Sequence, residues 1–328
     1  MLSMTDVLDK DFEKITLKKI GAYFGAEVSG ADLSGEFDDV TFSEIHQAFV
    51  ENEVLVFRDL VISTDDQIRF GKMFGELTVH PFSPNSDKIP ELIIFDNKED
   101  NPPFGTDIWH SDETFRQCPP LGTCLRALDV PEVGGDTIFA SMSAAYEGLS
   151  DRMKSFISGL EAIHDFKPFK QLFDDDDAGR KELQRFELMY PPVTHPIVRT
   201  HPVTGNKSIF VNPQFTIRVI GMNEIESRSL LTDLFDLAKT PEYQYRHHWY
   251  NNTMVLWDNR SVQHYAVHDY WPKRRQMERV TMEGDRPFSS EENVIPDALK
   301  SRKSPQPIGA NVNHGGHSPK RQFVRDLD

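Results

Sequence analysis

The hydrophobic pattern of this chain changes period several times along its length. Residues 15–34 (ITLKKIGAYFGAEVSGADLS) mix β-branched side chains with Gly at short intervals and predict short strands and turns. Residues 42–51 (FSEIHQAFVE) have helical apolar spacing, with Thr41 as the expected N-cap, and 52–57 (NEVLVF) predict a buried strand. A second amphipathic helix is expected over 64–74, opened by Thr64-Asp65-Asp66 and closed by Gly75. From 77 to 140 the pattern becomes short β-rich runs (LTVHPF, ELIIFD, TCLRAL, DTIFA) broken by Pro and Gly. Residues 144–164 read as helix, and 165–192 as a polar, mobile excursion holding the acidic run 174–177. Strand signals return at 196–199, 207–212 and 253–258, with a helix expected over 224–237. After Phe288 only one aromatic, Phe323, occurs in forty residues, which predicts a flexible tail over 289–328. Many short strands with helices between them indicate a mainly β sandwich or barrel with helical insertions. Alternating βα units, a phosphate-cradling P-loop and GxGxxG after a strand are all absent from the text.

Composition narrows the classes. The 328 residues include 38% apolar positions and 23 Phe, enough for a substantial core, so one domain over 1–288 with an insertion at about 144–192 is expected. The formal net charge of −16 argues against nucleic acid and against an anionic membrane surface as partners. An anionic substrate would need local Arg or Lys to overcome that field. No apolar run approaches the roughly 20 residues of a membrane span, and residues 1–15 lack the marks of a signal peptide. With two cysteines, Cys118 and Cys124, a disulfide framework is excluded and both are expected as small core residues. A cytoplasmic location is expected.

The strongest local signal is Trp109-His110-Ser111-Asp112. On a strand, positions i and i+2 share a face, so His110 and Asp112 would project side by side. Such a pair takes adjacent corners of a metal octahedron when a distant His completes a 2-His-1-carboxylate triad. Two polar groups bonding each other on a surface strand give the same spacing. The C-terminal text holds His264 and then RQMERVTM, in which Arg275 and Arg279 share one strand face. Four residues apart on a strand is about 13 Å, too far for both to clamp one small carboxylate, so they suit two different anions. Glu278 has the opposite parity; Glu283 shares theirs and is a possible partner for Arg279.

The segments 109–115 (WHSDETF), 134–137 (GGDT), 199–212 (RTHPVTGNKSIFVN), 257–270 and 275–288, in that order, resemble the taurine dioxygenase family of Fe(II)- and 2-oxoglutarate-dependent oxygenases over about residues 15–288. The resemblance implies a double-stranded β-helix, or jelly roll, with Fe(II), 2-oxoglutarate and O2 as cofactor and cosubstrates. It implies His110, Asp112 and His264 as iron ligands, and Arg275 with the Thr137 hydroxyl as the site for the distal carboxylate of 2-oxoglutarate. Iron, one Asp and a dianionic cosubstrate sum to a negative charge that Arg275 would offset. Arg279 resembles the Arg that holds the substrate's anionic head in sulfonate-using members, and His80 a His near the substrate there, with Phe210 and Phe215 as candidate pocket walls. The implied chemistry is hydroxylation of an unactivated C–H bond, with succinate and CO2 as co-products. The implied substrate is a small anionic or zwitterionic molecule of the sulfonate, alkyl sulfate, carboxylate or aryloxyalkanoate class, and the implied assembly a homo-oligomer, dimer or tetramer. Glu113 stands where sulfonate-using members have an apolar residue, and Ser83 where the taurine enzymes have an aromatic. Glu113 is therefore a further substrate-binding candidate that must turn away, pair with Arg279 or meet another cationic or donor group. A non-catalytic jelly-roll binding protein and a desaturating family member are the competing readings; Asp112 fills the position a halogenase leaves free.

Overall fold

Val54–Phe57 and Met254–Asp258 are apolar nearly throughout and buried at every position, a pattern that requires cover on both faces of a sheet. In the computed structural model, which describes residues 12–36 and 38–290, they lie side by side in a seven-stranded sheet. Its order is Thr16–Lys19, Ala26–Ser29, Val54–Phe57, Met254–Asp258, Gly122–Asp129, Arg275–Met282, Ile93–Asn97. All neighbours are antiparallel except Ala26–Ser29 with Val54–Phe57.

Alternation along these strands divides the core. Leu55, Phe57, Cys124, Leu256 and Val280 pack under the helices Asp39–Asn52 and Thr64–Phe74, against Ile45, Phe49 and Phe70. Val54, Val56, Leu125, Val255, Trp257 and Met277 face the other way, onto Phe139 and Val262. Those two belong to a three-stranded sheet in the order Gln244–His247, Thr137–Ser141, Val262–Ala266. Two facing, mainly antiparallel sheets with helical additions are the jelly-roll architecture expected from the sequence. No helix among the described residues is long and apolar enough to cross a membrane.

Several expectations need correction. The first long helix starts earlier than expected: Asp38, not Thr41, is its cap, accepting from the Thr41 amide at 2.7 Å. Residues 77–82 do not form a strand; only Leu77 bridges to Met282, and Pro81 has no amide to donate. The helix expected over 144–164 is broken into Met142–Glu147, Asp151–Ile157 and a strand, Glu161–His164. Ser150 caps the second helix, and Gly159 at φ 74° turns the chain out of it. The excursion over 165–192 carries regular structure, a 3-10 turn at Lys167–Leu172 and a helix at Asp177–Met189. Asp176 caps that helix, accepting from the Gly179 amide, so part of the acidic run is a helix start. Phe166 and Phe186 anchor the excursion in a cluster with Phe115 and Phe215. Cys118 is exposed, whereas Cys124 is buried as expected. Nearly all of the expected tail, residues 291–328, lies outside the described residues.

Candidate metal centre and active-site cavity

His110 and His264 are joined through their backbones as an isolated antiparallel bridge, His110 N–H to His264 O at 3.1 Å and the reverse at 2.8 Å. His264 sits on Val262–Ala266, whereas the chain after His110 enters turns. Turn geometry therefore brings Asp112 beside His110, in place of the strand alternation expected. The result is a buried cluster of His110, Asp112 and His264 whose ligand atoms all lie within 4.8 Å of one another. Nε2 of each imidazole stands 3.9 Å from Asp112 Oδ1.

Protonation suits this cluster to a cation. His110 Nδ1 lies 2.6 Å from the Ile108 carbonyl, which can only accept, so Nδ1 carries the proton and Nε2 keeps its lone pair. Burial lowers the His110 pKa, and burial with the neighbouring His110 takes His264 down to about 3, so both rings are neutral bases at neutral pH. Burial opposes ionisation of Asp112, but the Arg279 guanidinium, both imidazoles and the Thr123 hydroxyl hold it well below the usual carboxylate range. Two neutral nitrogens and one carboxylate oxygen converge, a donor set that fits Fe(II). A second layer fixes the carboxylate. Thr123 Oγ1 donates to Asp112 Oδ2 at 2.6 Å, and the Asp112 amide donates to Asn259 Oδ1 at 3.3 Å. Asn259 is held in turn by the Trp257 indole and by Thr123.

A cavity of about 60 Å³ between the sheets is lined by His110, His264, Thr137, Trp257, Arg275 and Arg279, among others. Arg275 is buried beside Trp249 and Tyr270, 5.7 Å from each ring, and donates through Nε to the Gly135 carbonyl at 3.2 Å. Its Nη2 is buried without a partner. Glycine suits position 135: φ is 73°, where a side chain is strained, and a Cβ would come 3.2 Å from the Arg275 side chain. Thr137 Oγ1 accepts from the Trp249 indole at 3.0 Å. Arg279 donates through Nη1 to Asp112 Oδ1 at 3.2 Å, not to Glu283, and its buried Nε has no partner.

The remaining sequence candidates divide. His80 is buried, in the electrostatic reach of Glu113, Arg279, Arg116 and Asp112, and burial lowers its pKa to about 4. The Phe82 amide donates to His80 Nδ1, so the neutral ring carries its proton on Nε2. Glu113 is buried and pairs with Arg116, Nε to Oε2 at 2.5 Å, not with Arg279. Phe215 meets the His110 ring edge-on at 6.4 Å. Phe210 packs on His164 and His195 beneath Arg199, and is not brought to the cluster. Three residues were not anticipated by sequence reasoning. His268 lines the cavity and lies 2.9 Å from the Thr106 hydroxyl. Trp249 and Tyr270 flank Arg275, and nothing in their sequence context distinguishes them from core aromatics.

Comparison with known proteins matches residues 14–281 to the model of the taurine catabolism dioxygenase TauD, TfdA family. An alkylsulfatase from Acinetobacter baylyi is 34% identical over 287 residues, covering 86% of this chain and 89% of the relative. An alpha-ketoglutarate-dependent 2,4-dichlorophenoxyacetate dioxygenase from Cupriavidus pinatubonensis is 34% identical over 274 residues, 79% of this chain and 94% of that one. A crystal structure of a taurine dioxygenase from Burkholderia xenovorans superposes with a TM-score of 0.72 at 30% identity, over 84% of this chain and 91% of the other.

Proposed function

This chain belongs to the TauD/TfdA family of taurine catabolism dioxygenases, and from that membership we propose its substrate class and the roles of its site residues. It is an Fe(II)- and 2-oxoglutarate-dependent dioxygenase. The prime substrate we propose is a small organic anion, a sulfonate, sulfate ester or aryloxyalkanoate, hydroxylated at an unactivated C–H bond. One observation carries this reading. Two buried guanidiniums, Arg275 and Arg279, line one cavity with the histidines of the His–Asp–His cluster, and each keeps a nitrogen without a partner.

In this reading His110 Nε2, His264 Nε2 and Asp112 Oδ1 would hold iron. Bound there with 2-oxoglutarate and O2, the metal would supply the power to oxidise a C–H bond, with succinate and CO2 as co-products. Arg275 meets the distal carboxylate of 2-oxoglutarate, and Thr137 offers its hydroxyl beside it. Arg279, placed at the Asp112 edge, holds the anionic head of the substrate, and neutral His80 donates to that head through Nε2. An anchor of this kind decides which carbon is presented, because only a C–H held close to the reacting centre is oxidised. Phe215, against the His110 ring, keeps water from that side. The same reading makes residues 1–288 one domain with its insertion at about 144–192, in a cytoplasmic homo-oligomer; size-exclusion chromatography with light scattering tests the assembly.

The test is succinate formation with Fe(II), 2-oxoglutarate and O2 across sulfonates, alkyl sulfates and aryloxyacetates. Substrate-dependent succinate with at least one class is expected, and stimulation by none of them would refute the substrate class. Asp112→Ala should abolish turnover. Arg275→Ala should raise KM for 2-oxoglutarate about tenfold or more, the loss of one charge-assisted bond of ~1.5–3 kcal/mol.

A further inference from the structure

The residue after the metal-cluster aspartate is a carboxylate, an unexpected neighbour for a pocket that is to hold an anion. Glu113 is 1% exposed, and its left-handed backbone, φ 49°, begins a turn closed by the Arg116 amide donating to the Glu113 carbonyl at 2.9 Å. That turn returns the Arg116 guanidinium to its own start, where Nε meets Glu113 Oε2 at 2.5 Å. Arg116 Nη2 also donates to the Val79 carbonyl at 2.8 Å, the residue before His80, and the guanidinium lies 5.6 Å from the Tyr190 ring. Two carboxylates in sequence thus meet two different arginines, Asp112 with Arg279 and Glu113 with Arg116. A buried carboxylate takes whatever cation is within reach, because leaving it uncompensated costs several kcal/mol. Arg279, held at Asp112, keeps a buried nitrogen without a partner, and Arg279, Glu113 and Arg116 all lie within electrostatic range of His80.

Resting on the anion-binding reading of Arg279, we propose that Arg116 is a specificity-determining positioning residue. It neutralises Glu113, so that the Arg279 and His80 corner remains receptive to an anionic head. Arg116 itself touches no substrate; it acts by cancelling a field and by tying the turn after Asp112 to the segment that carries His80. The site so compensated suits a plain anion and does not depend on a cationic group in the ligand to satisfy Glu113.

The experiment is anaerobic calorimetric titration of the iron- and 2-oxoglutarate-loaded protein with hexyl sulfate, alongside titration of the iron-loaded protein with 2-oxoglutarate. Arg116→Met should weaken hexyl sulfate about 10- to 100-fold, as loss of ~1.4–2.8 kcal/mol implies, and leave 2-oxoglutarate within about twofold. Glu113→Gln/Arg116→Met should return hexyl sulfate to within about threefold of the starting protein, since the charge needing compensation is gone. Glu113→Gln alone should bind hexyl sulfate severalfold more tightly, and this arm decides the matter if Arg116→Met does not fold. Equal weakening of both ligands, a double variant as weak as Arg116→Met, or unchanged binding in Glu113→Gln would overturn the role of Arg116. A starting protein that binds 2-oxoglutarate but no hexyl sulfate, hexanesulfonate or phenoxyacetate would instead remove the anion-binding reading on which that role rests.

Discussion

Thr123 shows how one hydroxyl far from the metal-ligand motif shapes the site. Its Oγ1 donates to Asp112 Oδ2 at 2.6 Å and accepts from Asn259 Nδ2 at 2.9 Å, leaving Oδ1 as the oxygen facing both imidazoles. Thr123→Val keeps the shape and removes the bond. Support of this kind is worth about 10- to 100-fold in metal affinity, so competition of the variant against a chromophoric chelator should show a loss in that range. Affinity equal to that of the starting protein would contradict the assignment. Thr123 was not legible as a site residue, because a Thr inside the β-rich run TCLRAL reads as ordinary strand. The cluster of His110, Asp112 and His264 was legible through the family resemblance, because HxD spacing by itself equally suits two polar groups bonding each other on a surface strand. What misled was the geometry assigned to HxD. Turn residues after His110 do the work given to strand alternation, and turns in a motif lacking Gly or Pro leave little trace in sequence.

At the scale of elements, the strand Arg275–Met282 is the clearest case of pattern giving structure. Its period of two sends Arg275 and Arg279 into the cavity, while Glu278 faces the helix Thr64–Phe74 on the other side. There Glu278 accepts from Arg126 Nη2 at 2.7 Å and from the Thr64 hydroxyl, and Gln67 bonds its carbonyl. Parity had placed Glu278 away from both cavity arginines; its partner on a neighbouring strand could not be read without the pairing register. Glu278→Ala strands the buried Arg126 charge and should cost about 3–5 kcal/mol of stability in urea unfolding. The protein that remains folded should bind 2-oxoglutarate as before, because the change lies on the opposite face. A loss under 1 kcal/mol would mean that water compensates Arg126. The stretch 165–192 failed as a sequence reading for the converse reason. Its charges are real and solvated, as with Arg180 between Asp175 and Asp177, yet Phe166 and Phe186 at wide spacing suffice to dock it.

Across the whole molecule, the acidic balance of −16 hides a core rich in buried titratable groups that set the pH response of stability. Outside the metal cluster, burial first of all lowers His46, His80 and His195 to about 4 and His247 to about 3. An unfolded His titrates near 6.5, so between about pH 4 and 6.5 the unfolded chain binds more protons than the native one at each of these sites. Their contribution is therefore complete above 6.5 and is lost as pH falls toward 4, on the order of 1–3 kcal/mol per group. Glu53 runs the other way. It ends the helix Asp39–Asn52 at φ 63°, is buried, and burial raises its pKa to about 7 against the help of Ser143 and Ser141. From about 4.5 to 7 the native state keeps a proton there that the unfolded chain has released, so Glu53 erodes stability as pH rises. Four histidines outweigh one carboxyl, and the unfolding midpoint of the metal-free protein should climb from pH 4.5 to 6.5. Glu53→Gln removes the opposing contribution, so its climb should be steeper, with a gain of about 1–3 kcal/mol at pH 8 where the native Glu53 would be ionised. If Glu53→Gln merely shifted stability by one constant amount at every pH, the buried carboxyl would not be titrating in this window, and the curvature would have to come from the histidines alone.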